Sequence, residues 1–307
     1  VAGGRLDVSA VLVGQEVRSA IADARGVVAL ETSVIGQGLP FPRNRECVER
    51  MSGVIRAADA VPAWIGTVDG SVVVGLAPGE LERFLEPGAA VKVARRDLPV
   101  AIATGALGAT TVSAAIWAAR AAEIAVGATG GIGGVHPGAG DVSADLLELA
   151  RTPVLLVCSG PKSIIDAAAT AEKLEELGVA LVGFGVDRLP WFLVREAQGV
   201  ELEHRVDSPQ EAAALARAMR ELTSASAILL CNPVPADRAM DADEVATASS
   251  QAEARAERDG VRGKARTPYL LAALAEITDG RSLEANLALL EANARLAGSV
   301  AVAHAAG

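Results

Sequence analysis

Aromatic side chains are nearly missing from this 307-residue chain, where Phe, Trp and Tyr make up 3% of the residues. Ala, Val, Leu and Ile must therefore build the core, and an apolar content of 51% supplies enough of them for a large one. Cysteine is scarce too. Cys47, Cys158 and Cys231 are too few and too scattered for a disulfide framework or a zinc site, which fits a reducing cytoplasm. Cys158 and Cys231 end apolar runs and read as core. No apolar run reaches the roughly 18–20 residues of a membrane span. The first residues, Val1-Ala-Gly-Gly-Arg5, show no basic segment leading into an apolar one, so neither a membrane nor a secretory signal is expected. A net charge of −10 argues against nucleic acid as a partner.

Lysine is the other shortage. Of 28 basic residues only Lys92, Lys162, Lys173 and Lys264 are lysines. Arginine stays protonated and cannot serve as an amine nucleophile, so each lysine invites scrutiny. Lys162 follows the buried-strand run Pro153–Cys158 and the turn Ser159-Gly160-Pro161, and it opens an expected helix over Ser163–Leu177. A helix N-terminus disfavours an ammonium, which would favour the neutral, reactive amine. The plainer reading is a solvated lysine at a helix start. Lys92 lies inside the apolar stretch Ala90–Ala94, where a lysine is uncommon unless it meets an anion or a carboxylate; the plainer reading is a lysine snorkelling from an edge strand. Lys173 reads as a solvated helix face, and Lys264 as a solvated loop residue.

Strand-like runs alternate with helical ones. Strands are predicted at Gly26–Glu31, Trp64–Val68, Ser71–Gly75, Ala90–Val93, Val100–Ala103, Ile124–Ala128, Pro153–Cys158, Ala180–Phe184 and Ala227–Cys231. Helices are predicted at Arg43–Ala58, Ala109–Ala122, Ser143–Leu149, Ser163–Leu177, Ser208–Leu222, Asp241–Asp259, Thr267–Ile277 and Ser282–Ala303. Asp69-Gly70 marks a hairpin. The expected fold is α/β, an α/β/α sandwich around a central mixed, largely parallel sheet. It is expected to form one domain over residues 1–307, with a small hairpin insertion near 61–90. Ligands of such sheets bind beyond the carboxyl ends of the strands.

Several residues at those ends could carry chemistry. Glu31 closes an apolar strand and is a candidate proton donor; the plainer reading is a carboxylate that caps backbone amides. The segment Gly108–Ser113 is expected to open a helix. Thr110, Thr111 and the amides around Val112 would then suit a phosphate, with ordinary N-capping about as good an account. The glycine-rich run Ala128–Gly140 lacks the spacing of a dinucleotide fingerprint or a P-loop. It leads into Asp141, the N-cap Ser143, and Asp145. Asp141, Asp145 and His136 could surround one hard divalent cation, or the aspartates could merely cap.

Together these stretches resemble the pseudouridine-5′-phosphate glycosidase family. The matching segments are Val28–Glu31, Gly38–Pro42, Lys92–Pro99, Gly108–Val112, Ala128–His136, Asp141–Leu146, Val157–Ser163, Asn232–Pro235 and Ser282–Asn286. The resemblance implies an α/β/α homotrimer that uses a divalent metal, commonly Mn2+, and cleaves a C–C glycosidic bond. A C-glycoside has no leaving oxygen, so a lysine imine at C1′ replaces the paired-carboxylate route as electron sink. By resemblance Lys162 is the nucleophile and Glu31 the proton donor. Lys92, Val112 and Ser143-Ala144-Asp145 would hold the sugar phosphate, Asp141 would anchor the metal, and Asn286 would close the pocket.

Two departures stand out. Gln37 occupies a position where the family has His, and the family's acidic-aromatic insert before Asp141 is missing here. Both lie beside the expected base pocket. The primary expectation is therefore a C-glycosynthase joining ribose 5-phosphate to an aromatic polyketide-type aglycone, as in alnumycin biosynthesis. The alternatives are a pseudouridine-5′-phosphate glycosidase, or a non-catalytic sugar-phosphate-binding protein.

Overall fold

The computed structural model describes residues 11–137 and 141–307. Among them eleven strands form one sheet: β1 (Val11–Val13), β2 (Val27–Glu31), β3 (Val61–Val68), β4 (Ser71–Val74), β5 (Val91–Val93), β6 (Gly108–Thr110), β7 (Val126–Ala128), β8 (Leu155–Cys158), β9 (Ala180–Phe184), β10 (His204–Val206) and β11 (Ile228–Cys231). The main path runs β1-β4-β3-β2-β7-β8-β11-β9-β10, and β6, with β5 beside it, branches from β3. Pairing is parallel except where β3 meets β4 and β6. The Asp69-Gly70 hairpin is hydrogen-bonded into this sheet, because its first strand runs parallel to β2.

Two-residue alternation sorts the side chains into layers. Val28, Leu30, Leu155, Val157 and Leu230 share one core with helices Arg43–Ala57, Pro209–Glu221 and Arg281–Ala305. Their neighbours point the other way. Val27 and Ala29 pack with helices Gln15–Ala22 and Val112–Ala121, while Leu156, Cys158, Leu229 and Cys231 pack with Ala144–Leu149 and Ala167–Glu176. The result is the three-layered α/β architecture expected, with buried strands that carry no polar face.

Three expected elements differ. Val100–Ala103 belongs to a helix, Leu98–Thr104, and is not a strand. Asp97 accepts the Ala94 amide at 2.9 Å, Pro99 suits a first turn, and Gly105 ends the helix at φ 63°. Val100 is 64% exposed, so the short apolar run was no sign of a buried strand. Gly108–Thr110 is strand β6, which delays the expected helix at Ala109 to Val112. The helix expected from Ser163 begins at Ala167, where the Asp166 carboxylate accepts the Ala169 amide at 2.9 Å. Strands β1, β6 and β10, helices Gln15–Ala22 and Pro78–Arg83, and a π-helix at Val34–Gly38 were not anticipated. No helix among the described residues is long and apolar enough to cross a membrane.

Candidate active site

Loops leaving the carboxyl ends of β2, β7 and β8 build the centre of the site. Register sets Leu30 opposite Ala128, so the next residues along, Glu31 and Thr129, emerge side by side. The Glu31 carboxylate is 6% exposed and accepts two hydroxyl donors, Thr129 at 2.5 Å and Ser33. These bonds occupy both oxygens and fix the direction of the carboxylate.

Lys162 is held by a lacing of two loops. The Ile132 amide donates to the Gly160 carbonyl at 3.1 Å, and the Lys162 amide returns to the Ile132 carbonyl at 3.1 Å. Gly160 adopts φ +75°, and a Cβ there would lie 1.9 Å from the Pro190 carbonyl oxygen, so only glycine permits this approach. Lys162 does not open a helix as expected, since the next helix begins at Ala167, so no helix N-terminus lies at its amine. Its ammonium forms no ion pair with a carboxylate among the described residues.

The cleft has two chambers that share Glu31, Ser33, Lys92, Lys162 and Thr267. One is polar. Arg96, Thr111, Val112, His136, Asp141, Ser143, Ala144 and Asp145 line it beside Lys92. The other is largely apolar, walled by Val34, Phe192, Pro268 and Leu271 and carrying Gln37 and Asn286. The sequence-derived residues thus divide by chamber, with Lys162, Glu31 and Lys92 at the junction.

Thr110 is the exception. Its side chain is fully buried, its hydroxyl donates to the Ile65 carbonyl, and it lines neither chamber. Thr111 pairs with the Ser113 hydroxyl at 2.9 Å. The Ser113 amide is not free for a phosphate, because Asp145 accepts it at 3.0 Å. The second Asp145 oxygen accepts the Gly133 amide, also at 3.0 Å, and Ser143 caps the Asp145 amide at 3.2 Å. Asp145 therefore ties the glycine-rich loop to the start of helix Val112–Ala121 rather than offering itself to a cation.

His136 donates its backbone amide to the Asp141 carbonyl at 2.9 Å. Burial holds its imidazole below the usual histidine range, against the opposing charge of Asp141. Its Nδ1 is buried and without a hydrogen-bond partner among the described residues. Asp141 is exposed. No group of three or more His, Cys, Asp or Glu side chains that could hold a metal occurs among the described residues, so the Asp141–Asp145–His136 cage is not formed. One exposed carboxylate and one orphaned imidazole nitrogen fit a hydrated ion held chiefly by water and phosphate oxygens. The shortened loop before Asp141 lies at 138–140, outside the described residues.

Thr129 was expected among the polar residues at the strand ends, whereas Ser33, Arg96, Phe192, Leu271 and Asn293 were not. Asn293 is fully buried. It donates to the Thr129 carbonyl at 2.9 Å and the Ser159 hydroxyl at 3.1 Å, and accepts from Asn232 at 3.0 Å. A signal for it existed: it follows Asn286 by two helical turns, on the same buried, largely apolar face of helix Arg281–Ala305. Phe192 and Leu271 carried none, since their approach is tertiary.

Comparison with known proteins gives concordant matches. Residues 16–303 match the family described as Indigoidine synthase A like protein. The chain is 50% identical over 278 residues to the pseudouridine-5′-phosphate glycosidase of Gemmatimonas aurantiaca, covering 90% of each. With that of Symbiobacterium thermophilum it shares 46% over 299 residues, covering 95% of this chain and 97% of the relative. Among solved structures, an indigoidine synthase A (IdgA)-like protein from Thermotoga maritima superposes with a TM-score of 0.87 at 39% identity, covering 95% of both. The prealnumycin C-glycosynthase AlnA, in complex with ribulose 5-phosphate, superposes at 0.88 with 38% identity, covering 97% of this chain and 98% of AlnA.

Proposed function

The chain belongs to the Indigoidine synthase A like family, and from that premise we propose that it cleaves the C–C glycosidic bond of pseudouridine 5′-phosphate, giving uracil and ribose 5-phosphate. One observation carries the reading: Lys162 and Glu31 sit where a polar chamber meets an apolar one. A nucleotide laid across that junction has its phosphate beside Lys92 and Arg96, its C1′ beside the amine, and its base against Phe192 and Leu271.

Glu31 takes a proton from Lys162, whose amine then bonds to C1′ while the C1′–O4′ bond breaks, and Glu31 passes that proton to O4′. The new secondary ammonium returns a proton to Glu31; its freed lone pair forms the C1′ imine as the C1′–C5 bond breaks, and the electrons of that bond stay on C5, which takes the proton from Glu31. Water hydrolyses the imine and returns the amine. AlnA was captured with ribulose 5-phosphate, a sugar whose 5-hydroxyl is esterified and cannot close a furanose on C2. A neighbour that holds an open-chain pentose phosphate supports a ring-opened intermediate here. Asp141, with His136 behind it, would hold a hydrated divalent ion such as Mn2+, which would offset phosphate charge.

The C-glycosynthase expectation yields first place. Relatives 46% and 50% identical over nearly the whole chain are glycosidases, whereas AlnA stands at 38%. One observation keeps synthesis as a second reading: a further apolar groove shares Gln37, Phe192, Leu271 and Asn286 with the apolar chamber and would admit a wider aglycone. Steady-state assay of uracil release from pseudouridine 5′-phosphate tests the main reading. Absence of release, together with coupling of ribose 5-phosphate to a polycyclic aromatic acceptor, would replace it by the second.

A further inference from the structure

We propose that the Ser33 hydroxyl carries protons between Glu31 and the substrate. The assignment rests on the preceding reading for the two atoms it serves, O4′ of the sugar and C5 of the base. These atoms lie on either side of C1′, so one carboxyl has to serve both chambers. Glu31 is poorly exposed for that task. It is 6% exposed, and a hydroxyl already covers each of its oxygens. The two covering hydroxyls differ in what they can pass on. Thr129 lies over Oε1, is 2% exposed, and borders the apolar chamber but not the polar one. Its amide donates to the Val157 carbonyl at 3.0 Å and its carbonyl accepts from Asn293 at 2.9 Å. A β-branched side chain on so fixed a backbone is stiff.

Ser33 lies over Oε2, is partly exposed, and borders both chambers, as Glu31 and Lys162 do. It stands two residues beyond Glu31 and leads into the π-helix Val34–Gly38. Single π turns are rare and recur at functional sites. A serine hydroxyl donates one proton, accepts at two lone pairs and rotates to suit its neighbours. While Glu31 is ionised, the Ser33 proton points at Oε2. Once Glu31 has taken the Lys162 proton, its Oε2–H donates to Ser33 Oγ, and the serine turns its own proton to the substrate. As O4′ leaves C1′, the Oγ–H bond breaks and O4′–H forms, while Oε2–H breaks and Oγ–H forms again. Serine ends as it began, and Glu31 is a carboxylate once more. After the secondary ammonium has recharged Glu31, the same double transfer delivers the proton to C5.

Ser33→Thr and Ser33→Val share a shape and differ in the hydroxyl, so comparing them provides the test. The kcat for uracil release from pseudouridine 5′-phosphate should be about ten- to a hundredfold higher in the threonine form than in the valine form, at similar KM. Ser33→Ala takes the place of the valine form if that variant is not folded. Rates in mixtures of H2O and D2O should show more than one proton in flight for the threonine form and a single one for the form without a hydroxyl. Equal kcat in the two forms, or several protons still in flight without the hydroxyl, overturns the assignment. Borohydride capture of ribose 5-phosphate on Lys162 draws on the same proton delivery to O4′ and needs no aglycone. If wild type releases no uracil, the glycosidase reading falls, and the capture rates of the two forms decide the role of Ser33: faster capture with the hydroxyl supports it, and equal capture overturns it.

Discussion

The tasks proposed for Lys162 and Glu31 are separable, and single substitutions separate them. Lys162→Arg keeps charge and reach but cannot form an imine. Turnover should vanish while the thermal midpoint stays within about 1–2 °C of wild type, since a half-buried chamber residue without an ion pair contributes little to stability. Borohydride with ribose 5-phosphate should add a reduced pentose phosphate to wild type only, read by intact mass; a labelled arginine variant would end the imine proposal. Glu31→Gln preserves the volume and one acceptor for Thr129 or Ser33. It should lower kcat about 10²–10⁴-fold with KM changed only slightly, the pattern of a lost proton donor. A raised KM with normal kcat would recast Glu31 as a binding residue.

At the scale of elements, the site depends on loops bound to one another rather than to ligand. Asn293 joins helix Arg281–Ala305 to the ends of β7, β8 and β11 through Thr129, Ser159 and Asn232. Asn293→Leu fills the space but strands buried polar groups, at a cost of about 3 kcal/mol. Calorimetry should show a midpoint lower by roughly 5–10 °C, and kcat should fall with it because Thr129 orients Glu31. An unaltered midpoint would mean that the neighbours find other partners. Asp145→Ala is expected to act differently. Freeing the Gly133 and Ser113 amides loosens the wall of the polar chamber, so the KM for the phosphorylated substrate should rise about tenfold or more, with a smaller effect on kcat. Equal losses in kcat and kcat/KM would place Asp145 at the reacting centre instead.

At the scale of the whole molecule, metal and fold should be uncoupled. Among the described residues no metal cage ties elements together, in contrast with proteins whose folding free energy is metal-binding free energy. Chelation should leave the thermal midpoint unchanged within about 1 °C, while weakening substrate binding. Asp141→Ala should reproduce the chelated KM and make it insensitive to added Mn2+. Collapse of the fold on chelation would show that the ion is structural.

The three layers, most strands and the long helices were legible because apolar periodicity is a local property. Glu31, Lys162 and Lys92 were legible because each is a polar residue at the end of, or inside, an apolar run. Where two local codes overlap, the residues alone could not decide. Val100–Ala103 reads equally as a short strand or a short helix until the Asp97 cap and Gly105 are seen in place. Thr110 and Thr111 are adjacent and chemically alike, yet strand β6 turns one into the interior and the other to the chamber. Asp145 could be a cation ligand or an amide anchor by type, and only the approach of Gly133 and Ser113 makes it an anchor. The sequence by itself determined the layered α/β architecture, the polar residues at strand ends and the family, since these follow from patterning along the chain. The division of the cleft into two chambers, the companions of Glu31 and the place of Ser33 on both chambers were decided by tertiary structure. Each depends on groups far apart in sequence coming together, as Glu31 and Thr129 do at 2.5 Å, and no local propensity encodes such a meeting.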